Sequence, residues 1–191
     1  VSKAGNDSNA GTSQSAPKLT IGAAITAASS DGDTVEIIDE GTYAESQMTV
    51  AANNVTLTHT ASELGRPVLD ASGLATTEPI RVGTNTGNTK RGFVLNGIEV
   101  KGSHNSSGQD LFDNANLTNN SNGMVISDCF IYGFSGLSDN IMQTEAGQTF
   151  TIEASSFMFT PKNEQSIRVA GAGAHLFNNC FFSRSGGPST Q

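Results

Sequence analysis

Four segments of this chain repeat one eight-residue phrase: Phe93-Val-Leu-Asn-Gly-Ile-Glu-Val100, Met124-Val-Ile-Ser-Asp-Cys-Phe-Ile131, Phe150-Thr-Ile-Glu-Ala-Ser-Ser-Phe157 and His175-Leu-Phe-Asn-Asn-Cys-Phe-Phe182. Their starts lie 31, 26 and 25 residues apart. Strand-like phrases at such a period are the mark of a stacked solenoid, in which each unit buries its inward side chains only against its neighbours. The third column of the phrase reads Leu95, Ile126, Ile152, Phe177, and the last reads Val100, Ile131, Phe157, Phe182. Like residues one rung apart predict an all-β parallel β-helix of about six rungs, with both columns inward.

Composition agrees with a narrow solenoid. Hydrophobic residues are sparse at 36%, while Gly numbers 21, because a thin core needs few side chains and frequent turns consume Gly, Asn, Ser and Thr. Ten Phe and regular β-branched runs argue against disorder. A net charge of −8 offers no basic stripe for phosphates, so neither nucleic acid nor an anionic membrane is an expected partner. No apolar run reaches the roughly 20 residues of a membrane span, and no signal-peptide pattern opens the sequence.

Residues 1–18 read as an irregular leader and 19–191 as a single domain. Ile21, Ala24, Ile25 and Ala28 follow helical spacing, so a capping helix is expected over about 19–28, covering the first rung. Gly5-Asn-Asp-Ser-Asn-Ala-Gly-Thr12, Leu19-Thr-Ile-Gly-Ala-Ala-Ile25, Gly32-Asp-Thr-Val35 and Glu40-Gly-Thr-Tyr43 together resemble the cap and first rung of right-handed parallel β-helix proteins of the pectate-lyase-like superfamily. That superfamily includes polysaccharide lyases, glycosidases and phage virion proteins. The resemblance covers about the first 60 residues closely; it implies the fold and leaves the function open.

Asn53-Asn54, Asn96-Gly97, Ser127-Asp128 and Asn178-Asn179 are assigned to one recurring bend, since these residues tolerate the left-handed backbone. Asp128 is accordingly a turn residue. The remaining strand of each rung is assigned to Val68-Leu-Asp70, Leu111-Phe-Asp113, Ile141-Met-Gln143 and Ile167-Arg-Val169. With Val68, Leu111, Ile141 and Ile167 inward, alternation sends Leu69, Phe112, Met142 and Arg168 outward. An outward Leu69–Phe112–Met142 column reads as an assembly interface, with a loop cover or a one-residue register shift as the alternatives. Cys129 and Cys180 share a column with Ser155 between them. At about 4.8 Å per rung they stand roughly 10 Å apart, too far for a disulfide.

Chemistry is thinly represented. The superfamily's lyases use Lys or Arg bases and its glycosidases clustered carboxylates, which here leaves Asp113, Lys162 and Arg168 as catalytic candidates. Lys90, Arg91, Lys101, Asp110 and Asp139 are further scattered charges. His59, His104 and His175 lack metal-ligand spacing, so no metal site is expected; partial burial is the expectation for His175. Asp7 among its Asn and Ser neighbours is the one place calcium would find oxygens, without EF-hand spacing. The Asn-x-Ser/Thr triplets are expected by chance in so Asn- and Thr-rich a chain. The sequence leans towards a non-catalytic structural protein of a virion, a capsid decoration or a tail fibre or spike, acting as a homo-oligomer and most simply a trimer. The alternative is a carbohydrate-active protein, either a compact polysaccharide lyase or a glycan-binding fragment of one, in an extracellular setting.

Overall fold

The computed structural model describes residues 1–59, 65–74, 77–82, 92–103, 111–113, 122–134, 142–144, 149–159, 167–169 and 175–184. Lys90, Arg91, His104, Asp110, Asp139, Ile141 and Lys162 lie outside these residues.

The chain is mostly β, with a single α-helix among the described residues, and every strand pairing there is parallel. Helix α1 (Ile21–Ala27) comes first, within the expected span. Strands β1 (Thr34–Ile37), β2 (Thr42–Ala44) and β3 (Met48–Val50) then start three different sheets. The chain makes that circuit again with β4 (Val55–His59), β5 (Val68–Asp70) and β6 (Ile80–Val82), and again with β7 (Phe93–Asn96), β8 (Glu99–Lys101) and β9 (Phe112–Asp113). Next come β10 (Asn122–Ser127), β11 (Phe130–Tyr132) and β12 (Met142–Thr144), then β13 (Thr149–Glu153), β14 (Ser156–Phe159) and β15 (Ile167–Val169), and last β16 (His175–Asn178) and β17 (Phe181–Arg184). The first sheet runs β1-β4-β7-β10-β13-β16 and the second β2-β5-β8-β11-β14-β17; the third position holds β3-β6-β9 and a separate pair, β12-β15.

The repeated phrase pairs with itself as its spacing predicts. Ile126 stands opposite Leu95 and Ile152, and Ile152 opposite Phe177; Ile131 stands opposite Val100 and Phe157, and Phe157 opposite Phe182. All are fully buried except Phe177 and Phe182, which belong to the last strands and are exposed. Each fully buried Leu, Ile or Phe contributes roughly 1.5–3 kcal/mol.

What holds the phrase in register is its two-residue corner. Gly97, Asp128, Ala154 and Asn179 occupy equivalent positions there, and all four have positive φ, from 48° to 73°. Amide-to-carbonyl bonds tie the corners together: Gly97 to Ser127 at 3.1 Å, Asp128 to Glu153 at 3.1 Å and Ala154 to Asn178 at 3.0 Å. A Cβ at Gly97 would collide with the His59 carbonyl, so this corner takes glycine for space as well as for conformation. The next residue in each corner points in: Ile98, Cys129 and Ser155 are buried and Cys180 is half-buried. Both cysteines are free thiols. Cys129 donates to the Ser127 and Leu95 carbonyls, Ser155 sits in the intervening corner and accepts from the Cys129 amide at 3.1 Å, and Cys180 donates to Ile152 and Asn178. Burial pushes the Cys129 thiol up to about 11, which suits an inert packing residue.

Ala154, exposed and at φ 48°, is the one residue of that ladder that is neither Gly, Asn nor Asp. An L-residue there costs roughly 1–2 kcal/mol, partly offset by the entropy glycine loses on folding. Ala154→Gly is therefore expected to stabilise the protein by about 0.5–1 kcal/mol, read as a raised urea midpoint.

Four expectations are corrected. Asn54, also at positive φ, leads into β4 just as Gly92 leads into β7, so it marks the entry to the first sheet, a different corner from that of Gly97 and Asp128. Val68-Leu-Asp70 belongs to the second sheet, beside β2 and β8, with Leu69 opposite Tyr43 and Val100. Leu69 and Phe112 are buried at 0% and 1% exposure, so they are core residues and no outward column runs through them; Val68 is the half-exposed one. The third strand is also out of step by one further along, since Met142 stands opposite Ile167 and Gln143 opposite Arg168.

The first circuit is closed over by the helix. Thr20 caps α1, its hydroxyl accepting from the Ala23 amide at 3.1 Å, and Ile21, Ile25 and Ala28 are buried in the core. The helix is too short to persist alone, so this packing stabilises it. Residues 1–18 are tied in by backbone bonds: the Ser2 amide donates to the Lys18 carbonyl, the Asn6 amide to the Pro17 carbonyl, and the Ile38 amide, just after β1, to the Val1 carbonyl.

Candidate functional site

Asp113 closes β9 opposite Arg81, Arg168 is in β15 opposite Gln143, and Lys162 lies outside the described residues. Lys101 is engaged by Asp70, directly opposite it, at 3.1 Å. His59 is buried with its Nδ1 2.7 Å from the Ile37 carbonyl, and half-buried His175 stacks on Phe150 with centroids 6.3 Å apart. Among the described residues no three His, Cys, Asp or Glu side chains gather as a metal site, and no helix is long and apolar enough to cross a membrane.

The carboxylates near the amino-terminal end clamp backbone. Asp7 accepts from the Leu19 and Thr20 amides, both at 2.9 Å, and from the Thr20 hydroxyl at 3.0 Å; these bonds, the Thr20 amide foremost, hold its pKa below the usual carboxylate range. The oxygens that read as a calcium site thus fasten the leader to the helix start. Glu45 accepts from the Ile21 and Gly22 amides at 2.7 and 3.1 Å, capping α1 from across the circuit, and burial raises its pKa. Asp39 gathers the Tyr43 hydroxyl at 2.6 Å, the Lys3 amide at 2.6 Å, the Ser2 hydroxyl at 2.9 Å and the Gly41 amide at 3.1 Å. Burial works against its ionisation, but these donors outweigh it and hold the pKa below the ordinary value. Sequence reasoning missed Asp39 and Glu45 because the groups they serve include backbone amides up to 36 residues away.

Because the folded-state pKa of Asp39 lies below the unfolded one, its contribution is complete above about pH 4 and disappears as the pH falls through the folded value. Glu45 runs the other way: its folded pKa is raised, so what it contributes is present at lower pH and lost as the pH rises through that folded value. Asp39→Asn is expected to lower stability by about 1–2 kcal/mol at neutral pH and to flatten the acid limb below about pH 4. Urea midpoints across pH check both effects; an unchanged acid limb would show that Asp39 carries no such linkage.

The surface with binding character is the outer face of the second sheet. Its two outward columns run Asp70–Lys101–Tyr132–Met158–Ser183 and Val68–Glu99–Phe130–Ser156–Phe181. Phe130 and Tyr132 stack with centroids 5.0 Å apart, and burial, followed by the hydrogen bond to Glu99, raises the tyrosine's pKa. Arg66 spans the nearby corner to the carbonyl and carboxylate of Asp128, the latter at 2.6 Å. That makes Asp128 both a turn residue, as expected, and half of an ion pair. Towards the last strands the face becomes apolar: Met158 and Phe181 are exposed, as are Leu176, Phe177 and Phe182 beside them.

Comparison of the chain with protein-family models, with curated proteins and with solved structures finds no match.

Proposed function

We propose that the chain is a right-handed parallel β-helix of about six rungs, of the pectate-lyase-like kind, and that it works without catalysis as a structural subunit of a virion or extracellular assembly. The parallel sheets and the return to each sheet after three strands support the fold, and parallel crossover connections are right-handed in about 98% of cases. One observation carries the functional reading. The last strands present Leu176, Phe177, Phe181 and Phe182 at 43–64% exposure, a cluster of large apolar side chains of the sort that marks an interaction surface. This surface replaces the Leu69–Phe112–Met142 column as the assembly face, and a homotrimer is its simplest use.

Light scattering across protein concentration tests the reading. Association that weakens in Phe181→Ser and Phe182→Ser supports it, and a monomer at every concentration overturns it. The stacked Phe130–Tyr132 pair beside Glu99 and Lys101 favours a second reading, a carbohydrate-active protein, since aromatic faces with flanking polar groups suit sugar rings. A monomer that binds polysaccharide through Tyr132, or that releases unsaturated uronates from it, would establish that one.

A further inference from the structure

Asn96 and Gly97 meet at the corner between β7 and β8, and together they carry a reactivity that the equivalent corners lack. Gly97 stands at φ 73°, and a Cβ there would meet the His59 carbonyl oxygen at 2.5 Å, so only glycine fits. Asn96 precedes it, half-buried, with its side-chain nitrogen donating to the Thr58 hydroxyl at 3.0 Å. An asparagine followed by glycine is the pair in which a main-chain nitrogen most readily attacks a side-chain amide, because no Cβ shields that nitrogen. The residues that follow Ser127, Glu153 and Asn178 at the other corners all carry one.

The folded corner draws the two reacting groups in opposite directions. Thr58, which holds the Asn96 carboxamide, lies in β4 on one side of β7. Ser127, whose carbonyl accepts from the Gly97 amide at 3.1 Å, lies in β10 on the other side. Attack requires the nitrogen and the carbonyl carbon to be aligned at about 3–3.5 Å, with the nitrogen able to lose its proton. While both bonds stand, the carboxamide is turned towards Thr58 and the Gly97 proton is held by Ser127.

We propose that Asn96–Gly97 is a self-modifying site, kept closed by the folded corner and opened by local unfolding. Once the corner opens, the Gly97 nitrogen bonds to the side-chain carbonyl carbon of Asn96, and the side-chain carbon–nitrogen bond breaks. The departing nitrogen takes the proton that Gly97 gives up and leaves as ammonia, so the chain holds a cyclic imide. Water then opens the imide at either carbonyl. One route leaves aspartate at position 96. The other leaves an isoaspartyl link, in which the main chain runs through the side-chain carbon and is one atom longer. A longer main chain does not suit this corner, whose fixed length keeps Val100 facing the core. Aspartate, when ionised, has no N–H for the Thr58 hydroxyl. Opening of the corner is thereby recorded covalently.

Peptide mass spectrometry tests this. Trypsin cuts after Arg91 and Lys101 and releases Gly92–Lys101, in which Asn96 is the sole asparagine. The full chain is held in mildly alkaline buffer, either folded or in urea above its unfolding midpoint. Conversion is read as the mass gain from asparagine to aspartate in that peptide. The folded chain is expected to convert at least about thirtyfold more slowly, the combined hold of two hydrogen bonds. Thr58→Val keeps a β-branched residue in β4 and is expected to speed conversion of the folded chain about three- to tenfold, with the rate in urea unchanged. Its urea midpoint is measured alongside, which separates a change in global stability from release of the side chain. Equal rates in the folded and unfolded chain would overturn the proposal, as would a folded-state rate that Thr58→Val leaves unchanged.

Discussion

Replacing Leu69 by Lys is expected to unfold the protein or cost about 4 kcal/mol or more, whereas Val68→Lys should change stability by no more than about 1 kcal/mol. The two positions are adjacent in β5, yet Leu69 is fully buried, opposite Tyr43 and Val100, and Val68 is half-exposed opposite Glu99. A lysine at 69 has no carboxylate in its row and must lose its charge or break the column. At 68 it meets Glu99 across the strand pair, an arrangement worth a few tenths of a kcal/mol in its favour. Urea unfolding of both variants reads the difference. The opposite ordering would mean that β5 faces the other way and that the outward reading of Leu69 was right after all.

Phe157→Ala carries the second large effect, a loss of about 3–5 kcal/mol. Its ring is fully buried, between Ile131 and Phe182 in register, and lies 5.2 Å from the Phe182 ring at 18°. Truncation leaves a cavity that a column of fixed-spacing strands closes poorly. Phe182→Ala removes the same atoms from a side chain that is 44% exposed, so in the isolated chain it is expected to cost less than half as much. Denaturant unfolding below the concentration of any association separates the two. Comparable losses at both positions would show that Phe182 is already covered, and would remove the main support for the assembly proposal.

How much of this could be read from the chain depended on whether two strands stayed in step. Leu95, Ile126, Ile152 and Phe177 were legible as a column because each is followed by the same two-residue corner, which preserves the alternation from one strand into the next. Val68-Leu-Asp70 was not, because it has apolar residues at both its first and second positions and nothing of fixed length ties it to β4. Met48-Thr-Val50 alternates like the strands of the phrase yet starts a third sheet, so Asn53-Asn54 after it turns the chain into the first sheet and does not share the corner of Gly97 and Asp128. The helix was legible from Ile21 and Ile25. The clamps were half legible: the Asp7 segment stood out as a resemblance, but that its carboxylate holds Leu19 and Thr20 is a fact of folding, with no local signal in the chain. Candidate chemistry was legible only as residue types, since no spacing rule linked Asp113, Lys162 and Arg168.

The corner of Gly97, Asp128, Ala154 and Asn179 also says where this protein can and cannot change length. One residue inserted there would reverse the facing of every side chain in the strand that follows and expose Val100, Ile131, Phe157 or Phe182. The phrases themselves recur at steps of 31, 26 and 25 residues, so the length of chain between the second sheet and the next strand of the first already varies from one repeat to the next. A library of insertions along the chain would thus sort by corner: lethal after Asn96, Ser127, Glu153 and Asn178, and tolerated between the second sheet and the first wherever the third-sheet strands are left intact. Those permissive segments are where new binding specificity could be grafted without disturbing the column that keeps the chain folded.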